Sequence, residues 1–165
     1  MSYIFRHPKT EDGPDIQRLA QACAPLDVNS IYCYLLLATH FRETCLVAET
    51  EEGTLSGFVS AYWRPDAQDT LFVWQIAVHP GFRGNGIARS LLRTLFKRQA
   101  ERRPLRYLEL TVNPSNRASR RLFASLAAEL GTSVTEKELF PEYILGDGHE
   151  AEILLCIGPI FAVTT

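Results

Sequence analysis

Thr70-Leu71-Phe72-Val73-Trp74-Gln75-Ile76-Ala77-Val78-His79-Pro80-Gly81-Phe82-Arg83-Gly84-Asn85-Gly86-Ile87-Ala88 runs from an apolar segment through a basic, glycine-rich turn into an amphipathic stretch ending near Arg102. Both alternating faces of Leu71 to Val78 are apolar except at Gln75, which predicts a strand covered on both sides, at the centre of a sheet. Ile87, Leu91, Leu92, Leu95 and Phe96 recur at helical spacing, with Arg89, Arg93 and Lys97 set away from them. Where a strand feeds directly into a helix, the first helical N–H groups have no intrahelical acceptor, and together with the helix dipole they can hold a phosphate. Gly84 and Gly86 allow the backbone to approach such an anion closely.

Outward from this turn, Tyr3 to Arg6 reads as a first strand, and Thr10 is placed to cap a helix with Glu11, Asp12 and Asp15 in its first turn and Pro14 tolerated early. Ile16, Leu19, Ala20 and Cys23 form its inward face. Asp27, Asn29 and Ser30 are each able to cap a second helix running to about His40. Thr44 to Glu49 and Leu55 to Trp63 read as strands joined by a polar turn at Thr50 to Gly53, and Pro65, Asp66 and Asp69 mark a loop. Downstream, Tyr107 to Val112 is a strand, and Asn113 to Asn116 is a turn with capping residues. A helix follows, with Leu122, Phe123, Leu126 and Leu130 on its apolar face and Gly131 at its end. Val134 to Phe140 and Ala151 to Ile157 read as strands around a loop containing Gly146, Asp147 and Gly148. This order predicts an α/β or α+β domain and excludes a bundle or a sandwich.

At 165 residues and 46% hydrophobic content, the expectation is one domain spanning residues 1–165. The net charge of −2 gives no electrostatic case for nucleic acid as the main partner. Cys23, Cys33, Cys45 and Cys156 are scattered without a CxxC pair, which argues against zinc ribbons and thioredoxin-like motifs and suggests buried thiols in a reducing compartment. A basic segment followed by an apolar h-region is missing, and no apolar run approaches the ~20 residues that span a bilayer, so the expected location is the cytoplasm, away from membranes.

Two other glycine-loop readings fail. No Gly-Lys-Ser/Thr triplet is present at Walker spacing, and a dinucleotide fingerprint would need Gly or Ala where Arg89 stands and an acid near Pro104 and Leu105. Arg83-x-x-Gly86-x-Ala88 after Val78-His79-Pro80 resembles instead the acetyl-CoA loop of the Gcn5-related N-acetyltransferase superfamily. Asn116 at the next strand-to-helix turn, followed by Leu122 and Phe123, strengthens the match. Further segments resemble the L-2,4-diaminobutyrate acetyltransferase family within it. These are Phe5-Arg6-His7-Pro8 with Glu11-Asp12-Gly13, Leu26-Asp27-Val28-Asn29-Ser30, Phe58-Val59-Ser60-Ala61-Tyr62, Thr70 to Gln75, Pro114 to Phe123, and His149-Glu150.

The resemblance implies a central mixed, twisted sheet with helices on both faces, splayed where the fourth strand parts from the fifth, with the cofactor in that split. It implies acetyl transfer from acetyl-CoA to the 4-amino group of L-2,4-diaminobutyrate, the product serving ectoine synthesis, with no metal and a homodimeric assembly. Gly84, Asn85, Gly86, Ile87 and Ala88 would hold the coenzyme A pyrophosphate by their N–H groups, with Arg83 adding charge. Ile76, Ala77 and Val78 would pair with the pantetheine arm and stabilise the thioester oxyanion, and Asn116 and Ser119 would line the thiol end. Asp27, Trp74 and Glu152 match the family's acceptor pocket, to which Asn29, Tyr32, Tyr34 and His149 would add polar groups, the first three of these being equally readable as helix surface. His149 is also the candidate base, since an unperturbed imidazole pKa of about 6.5 suits proton removal near neutrality.

Phe123 stands where the superfamily often has a tyrosine that protonates the leaving thiolate, and it cannot do so. Two rival expectations remain. One is an acetyltransferase for another amine (a polyamine, an antibiotic or a protein N-terminus), and the other is a non-catalytic acetyl-CoA sensor.

Overall fold

A computed structural model describes residues 2–161. It contains a seven-stranded mixed sheet of order β1-β2-β3-β4-β5-β7-β6, so the strand carrying the quoted segment is central. By contacts the chain divides into two compact units, Met1–Tyr62 with Trp74–Arg102, and Trp63–Val73 with Arg103–Thr165.

The first unit contains β1 (Tyr3–Arg6), α1 (Gly13–Gln21), α2 (Ile31–Thr39), β2 (Cys45–Thr50), most of β3 (Leu55–Arg64), the end of β4 (Ala67–Val78) and α3 (Ile87–Arg102). β1 and β3 flank β2 in antiparallel ladders, with Arg6 opposite Val47 and Cys45 opposite Ser60. Strand alternation sorts the helices onto two faces. Cys45, Val47 and Phe58 pack with Ile16, Leu19 and Ala20 of α1 and Tyr34 and Leu37 of α2. Gly57 faces the other way: a Cβ there would lie 3.1 Å from Ile87 Cγ2 and 3.2 Å from Leu91 Cδ1, so α3 packs flush on the opposite face. Leu91 and Leu95 are fully buried, each contributing ~1.5–3 kcal/mol of apolar burial.

The first helix departs from expectation at its start. Thr10 opens a short 3-10 turn ending at Asp12, and α1 begins only at Gly13. Asp12 takes the N-cap position of α1, and its carboxylate turns back to accept the Lys9 N–H at 2.7 Å and the Arg6 guanidinium at 2.7 and 3.0 Å, so Thr10 is left one short turn ahead of the helix it was expected to cap. For α2 the three possible caps resolve to one, since Ser30 Oγ accepts the Cys33 N–H at 3.2 Å.

The second unit contains the start of β4, then β5 (Tyr107–Val112), α4 (Arg117–Glu129), β6 (Val134–Phe140), α5 (Glu142–Leu145) and β7 (Glu152–Ile157). β4 and β5 pair in parallel from Thr70–Tyr107 to Val73–Leu110, and β4 runs on to Val78 beyond that ladder. β7 lies antiparallel between β5 and β6. The loop expected through Asp69 is instead a tight turn at Pro65 and Asp66, with β4 starting at Ala67. Arg64 clamps that turn by bonding both Asp66 oxygens at 3.0 and 2.6 Å, and the Asp69 carbonyl accepts the Arg106 N–H at 2.9 Å. The short helix α5 was not foreseen, and Gly146, at φ 93°, closes it.

Candidate active site

The turn after β4 is built from local hydrogen bonds. His79 Nδ1 accepts the Gly81 N–H at 3.1 Å, and the Asn85 amide donates to the Phe82 and Arg83 carbonyls at 3.0 and 3.4 Å. Gly84 and Gly86 sit at φ 82° and 72°, a region that disfavours any residue with a Cβ. Beyond Gly86 the chain enters α3, whose first recorded backbone bond runs from the Ser90 N–H to the Gly86 carbonyl at 3.0 Å. The N–H groups of Gly84, Asn85, Gly86, Ile87 and Ala88 therefore donate to no described residue. A Cβ added at Gly84 or Gly86 meets nothing within 4 Å, so the space over these amides is open. A row of unsatisfied donors at the start of a 16-residue helix, with open space above it, is a ready anion cradle. Arg83 stands beside it, its Nε donating to the Val78 carbonyl at 3.2 Å. At the end of β4, Ala77 is buried, and Ile76 and Val78 are half-buried.

The first unit also holds Asp27, Asn29, Tyr32 and Trp74. Asp27 is exposed and does not cap α2, and its carboxylate bonds no described residue. Asn29 is half-buried, its carbonyl accepting from Gln17 Nε2 at 3.1 Å. Tyr32 is 67% exposed on the first turn of α2. Trp74 is 45% exposed, so the expectation that β4 is covered on both sides fails at this residue, and the indole is not core. Its neighbour Gln75 is buried at 5% exposure, because alternation turns it to the opposite face.

Sequence reasoning counted Tyr34 among the polar groups of the pocket and gave Gln75 no part, but the structure buries both. The Tyr34 hydroxyl, fully buried, donates to Gln75 Oε1 at 3.2 Å and accepts the Asn29 N–H at 3.3 Å, while Gln75 Nε2 donates to the Asp27 carbonyl at 2.7 Å. A lone glutamine in an otherwise apolar strand was the available signal.

In the second unit, Asn116 Oδ1 accepts the Ser119 N–H at 3.1 Å and so caps α4, with Ser119 half-buried. Phe123 is fully buried and presents no hydroxyl. His149 is exposed after α5, and its side chain bonds no described residue. Glu150 accepts a hydrogen bond from Ser115 Oγ. Glu152 is half-buried where β7 begins, opposite Phe140.

All four cysteines are free, with Cys23 and Cys45 buried and Cys33 and Cys156 only half-buried. Burial pushes the Cys45 thiol up to about 12 and raises Cys33 and Cys156, which makes them poor nucleophiles. Among the described residues no cluster of His, Cys, Asp and Glu is placed to hold a metal ion, and no helix is long and apolar enough to cross a membrane.

The stretch that includes this strand, glycine turn and helix matches the acetyltransferase (GNAT) family model over residues 14–127, and the chain belongs to that family. It is 48% identical over 160 residues to the L-2,4-diaminobutyric acid acetyltransferase of Bordetella parapertussis, covering 96% of this chain and 86% of that one. With the protein of the same name from Chromohalobacter salexigens it shares 47% identity over 156 residues, 94% of this chain and 81% of the other. Among solved structures it superposes with TM-score 0.92 on the diaminobutyrate acetyltransferase EctA of Paenibacillus lautus in complex with its substrate L-2,4-diaminobutyric acid and coenzyme A. That match has 40% identity and covers 99% of each chain. The fold also matches the ribosomal-protein-S18-alanine N-acetyltransferase of Escherichia coli, with TM-score 0.70 and 22% identity.

Proposed function

We propose that this chain transfers the acetyl group of acetyl-CoA to the 4-amino group of L-2,4-diaminobutyrate, giving the N4-acetyl product used in ectoine synthesis. The observation that carries this reading is the open row of amides at the start of α3, in a chain nearly half identical to diaminobutyric acid acetyltransferases over most of its length. Acetyl-CoA supplies the activated acetyl thioester. Gly84 to Ala88 bind its diphosphate through backbone N–H groups, and the Arg83 guanidinium adds charge. Backbone groups of Ile76, Ala77 and Val78 hold the pantetheine arm and the oxyanion. Asn116 and Ser119 are the cofactor groups proposed for the second unit.

The acceptor carries two ammonium groups and one carboxylate. Asp27, whose exposed carboxylate has no partner among the described residues, is the proposed anchor for one ammonium, and Glu152 provides a second acid. The exposed indole of Trp74 offers an apolar and cation-attracting wall, with Asn29 and Tyr32 as polar neighbours on the first unit. A primary amine with pKa near 10 arrives protonated and must lose that proton before attack, and His149 is assigned to accept it. Since Phe123 donates no proton, the thiolate leaves unassisted by it, which a thiol of pKa about 8.5 tolerates.

We assign the chain to a single acetyltransferase domain over residues 1–165, of which Met1 and residues 162–165 lie outside the described structure, acting as a homodimer in the cytoplasm. Thiol release from acetyl-CoA tests the activity against a panel of L-2,4-diaminobutyrate, lysine, putrescine and a peptide N-terminus. The reading expects kcat/KM for diaminobutyrate to exceed the others by at least a hundredfold, roughly the discrimination that two misplaced charged contacts supply. Equal use of putrescine would move the assignment to a polyamine acetyltransferase. Coenzyme A binding without thiol release would make the chain a sensor.

A further inference from the structure

The segment from Leu26 to Ser30 is irregular, yet its backbone polar groups are held by side chains from three elements. The Asp27 carbonyl accepts from Gln75 Nε2 of β4 at 2.7 Å, the Asn29 N–H donates to the Tyr34 hydroxyl of α2 at 3.3 Å, and the Asn29 carbonyl accepts from Gln17 of α1 at 3.1 Å. Gln75 and Tyr34 are joined by a buried bond of 3.2 Å. Each is fixed in turn: the Gln75 N–H donates to Ser60 Oγ at 3.2 Å, and the Tyr34 ring meets Phe58 edge to face at 6.1 Å. A buried amide and a buried hydroxyl therefore clamp the backbone on either side of Val28. The side chains this clamp presents outward are exposed: Asp27, Val28 at 45% and, at the start of α2, Tyr32 at 67%.

Such an arrangement is costly unless it is satisfied, because a buried glutamine with open hydrogen-bonding capacity destabilises the core. A leucine at position 75 would suit an apolar strand better by pattern alone. The polar pair supplies fixed geometry to a loop that lacks regular structure. The carboxylate it fixes, that of Asp27, has no partner among the described residues.

We infer that Gln75 and Tyr34 are positioning residues that set the Asp27 carboxylate for recognition of the acceptor's ammonium group, an inference that rests on the acceptor-binding role proposed for Asp27. Neither residue touches the acceptor. They act by holding the Asp27 carbonyl and the Asn29 N–H, so losing them lets the carboxylate wander and weakens one charge-assisted contact. Gln75 directly follows Trp74 in β4, so one strand carries both a candidate wall of the acceptor pocket and the tether of its candidate anchor.

Steady-state kinetics on Gln75→Met, Tyr34→Phe and Asp27→Asn, alone and combined, test this with L-2,4-diaminobutyrate and acetyl-CoA varied separately. Gln75→Met keeps length and apolar volume while removing the bonds, and Tyr34→Phe removes a single oxygen, so a folded variant is available even if the first fails to fold. Each clamp variant should raise the acceptor KM about fivefold to tenfold, the effect of one lost hydrogen bond, with the acetyl-CoA KM unchanged. In the Asp27→Asn background the clamp variants should add less than twofold, since the group they position is gone. If Asp27→Asn raises the acceptor KM but the clamp variants do not, or if their effects multiply with it, the positioning role is overturned while the role of Asp27 stands. If the clamp variants raise both Michaelis constants alike, Gln75 and Tyr34 are structural only. If Asp27→Asn leaves the acceptor KM unchanged, the anchor assignment and this inference fall together.

Discussion

Gly86→Ala separates the conformation of the glycine turn from what the turn binds. Gly86 sits at φ 72°, where an alanine costs ~1–2 kcal/mol from crowding between its Cβ and the following carbonyl. For a chain of this size, that lowers the melting temperature by roughly 2–8 °C. The added Cβ meets no protein atom within 4 Å, so the free protein registers only this strain. The proposed function, by contrast, places the diphosphate against these amides, where a methyl group pushes it off.

Losing two charge-assisted hydrogen bonds at ~1.5 kcal/mol each corresponds to about a hundredfold weaker binding. Gly131→Ala is the matched control, because Gly131 sits at φ 64° with nothing within 4 Å of its added Cβ, just past the end of α4. Thermal unfolding should show similar losses for both variants. Titration calorimetry with acetyl-CoA should show the affinity loss for Gly86→Ala alone. If the two variants bind acetyl-CoA equally well, the amides between Gly84 and Ala88 are not the diphosphate site, and the cofactor assignment fails.

Two further tests concern the framework around the site. Burial alone would raise the Asp12 carboxyl, but the Arg6 guanidinium and the Lys9 N–H outweigh it and hold it below the ordinary carboxylate range. Its contribution is therefore complete above the unfolded value of about 3.9 and is lost as pH falls through the folded one. Asp12→Asn should cost about 2 kcal/mol at neutral pH in urea denaturation, with the gap to the parent closing below about pH 4. A gap that persists in acid would show that the loss is not electrostatic. In the second unit, Arg64→Met strips the buried Glu109 of its cationic partner at 2.7 Å and should cost about 2–3 kcal/mol, since Arg64 is itself partly solvated. Adding Glu109→Gln should recover most of that loss in a double-mutant cycle. Simple additivity would show that the pair is not coupled.

Much of the fold was legible because its signals are local. The run from Leu71 to Val78, the glycines at 84 and 86 and the periodicity from Ile87 to Arg102 each read within a few residues of themselves. β4, the turn and α3 follow them closely. Misreadings arose where a distant or opposed partner competed. Asp12, drawn by Arg6, took the capping position from Thr10, and Arg64, by gripping Asp66, turned an expected loop into a tight hairpin.

The sequence by itself determined the order of the strands and longer helices and the glycine turn, since strand alternation, helical period and glycine's freedom are properties of neighbouring residues. Only the tertiary structure decided which side chains are sheltered and which are offered to a ligand. It left the indole of Trp74 half in solvent, buried Tyr34 completely and joined Gln75 to a carbonyl 48 positions away. Burial and long-range pairing depend on which elements meet in space, and residue spacing does not carry that information.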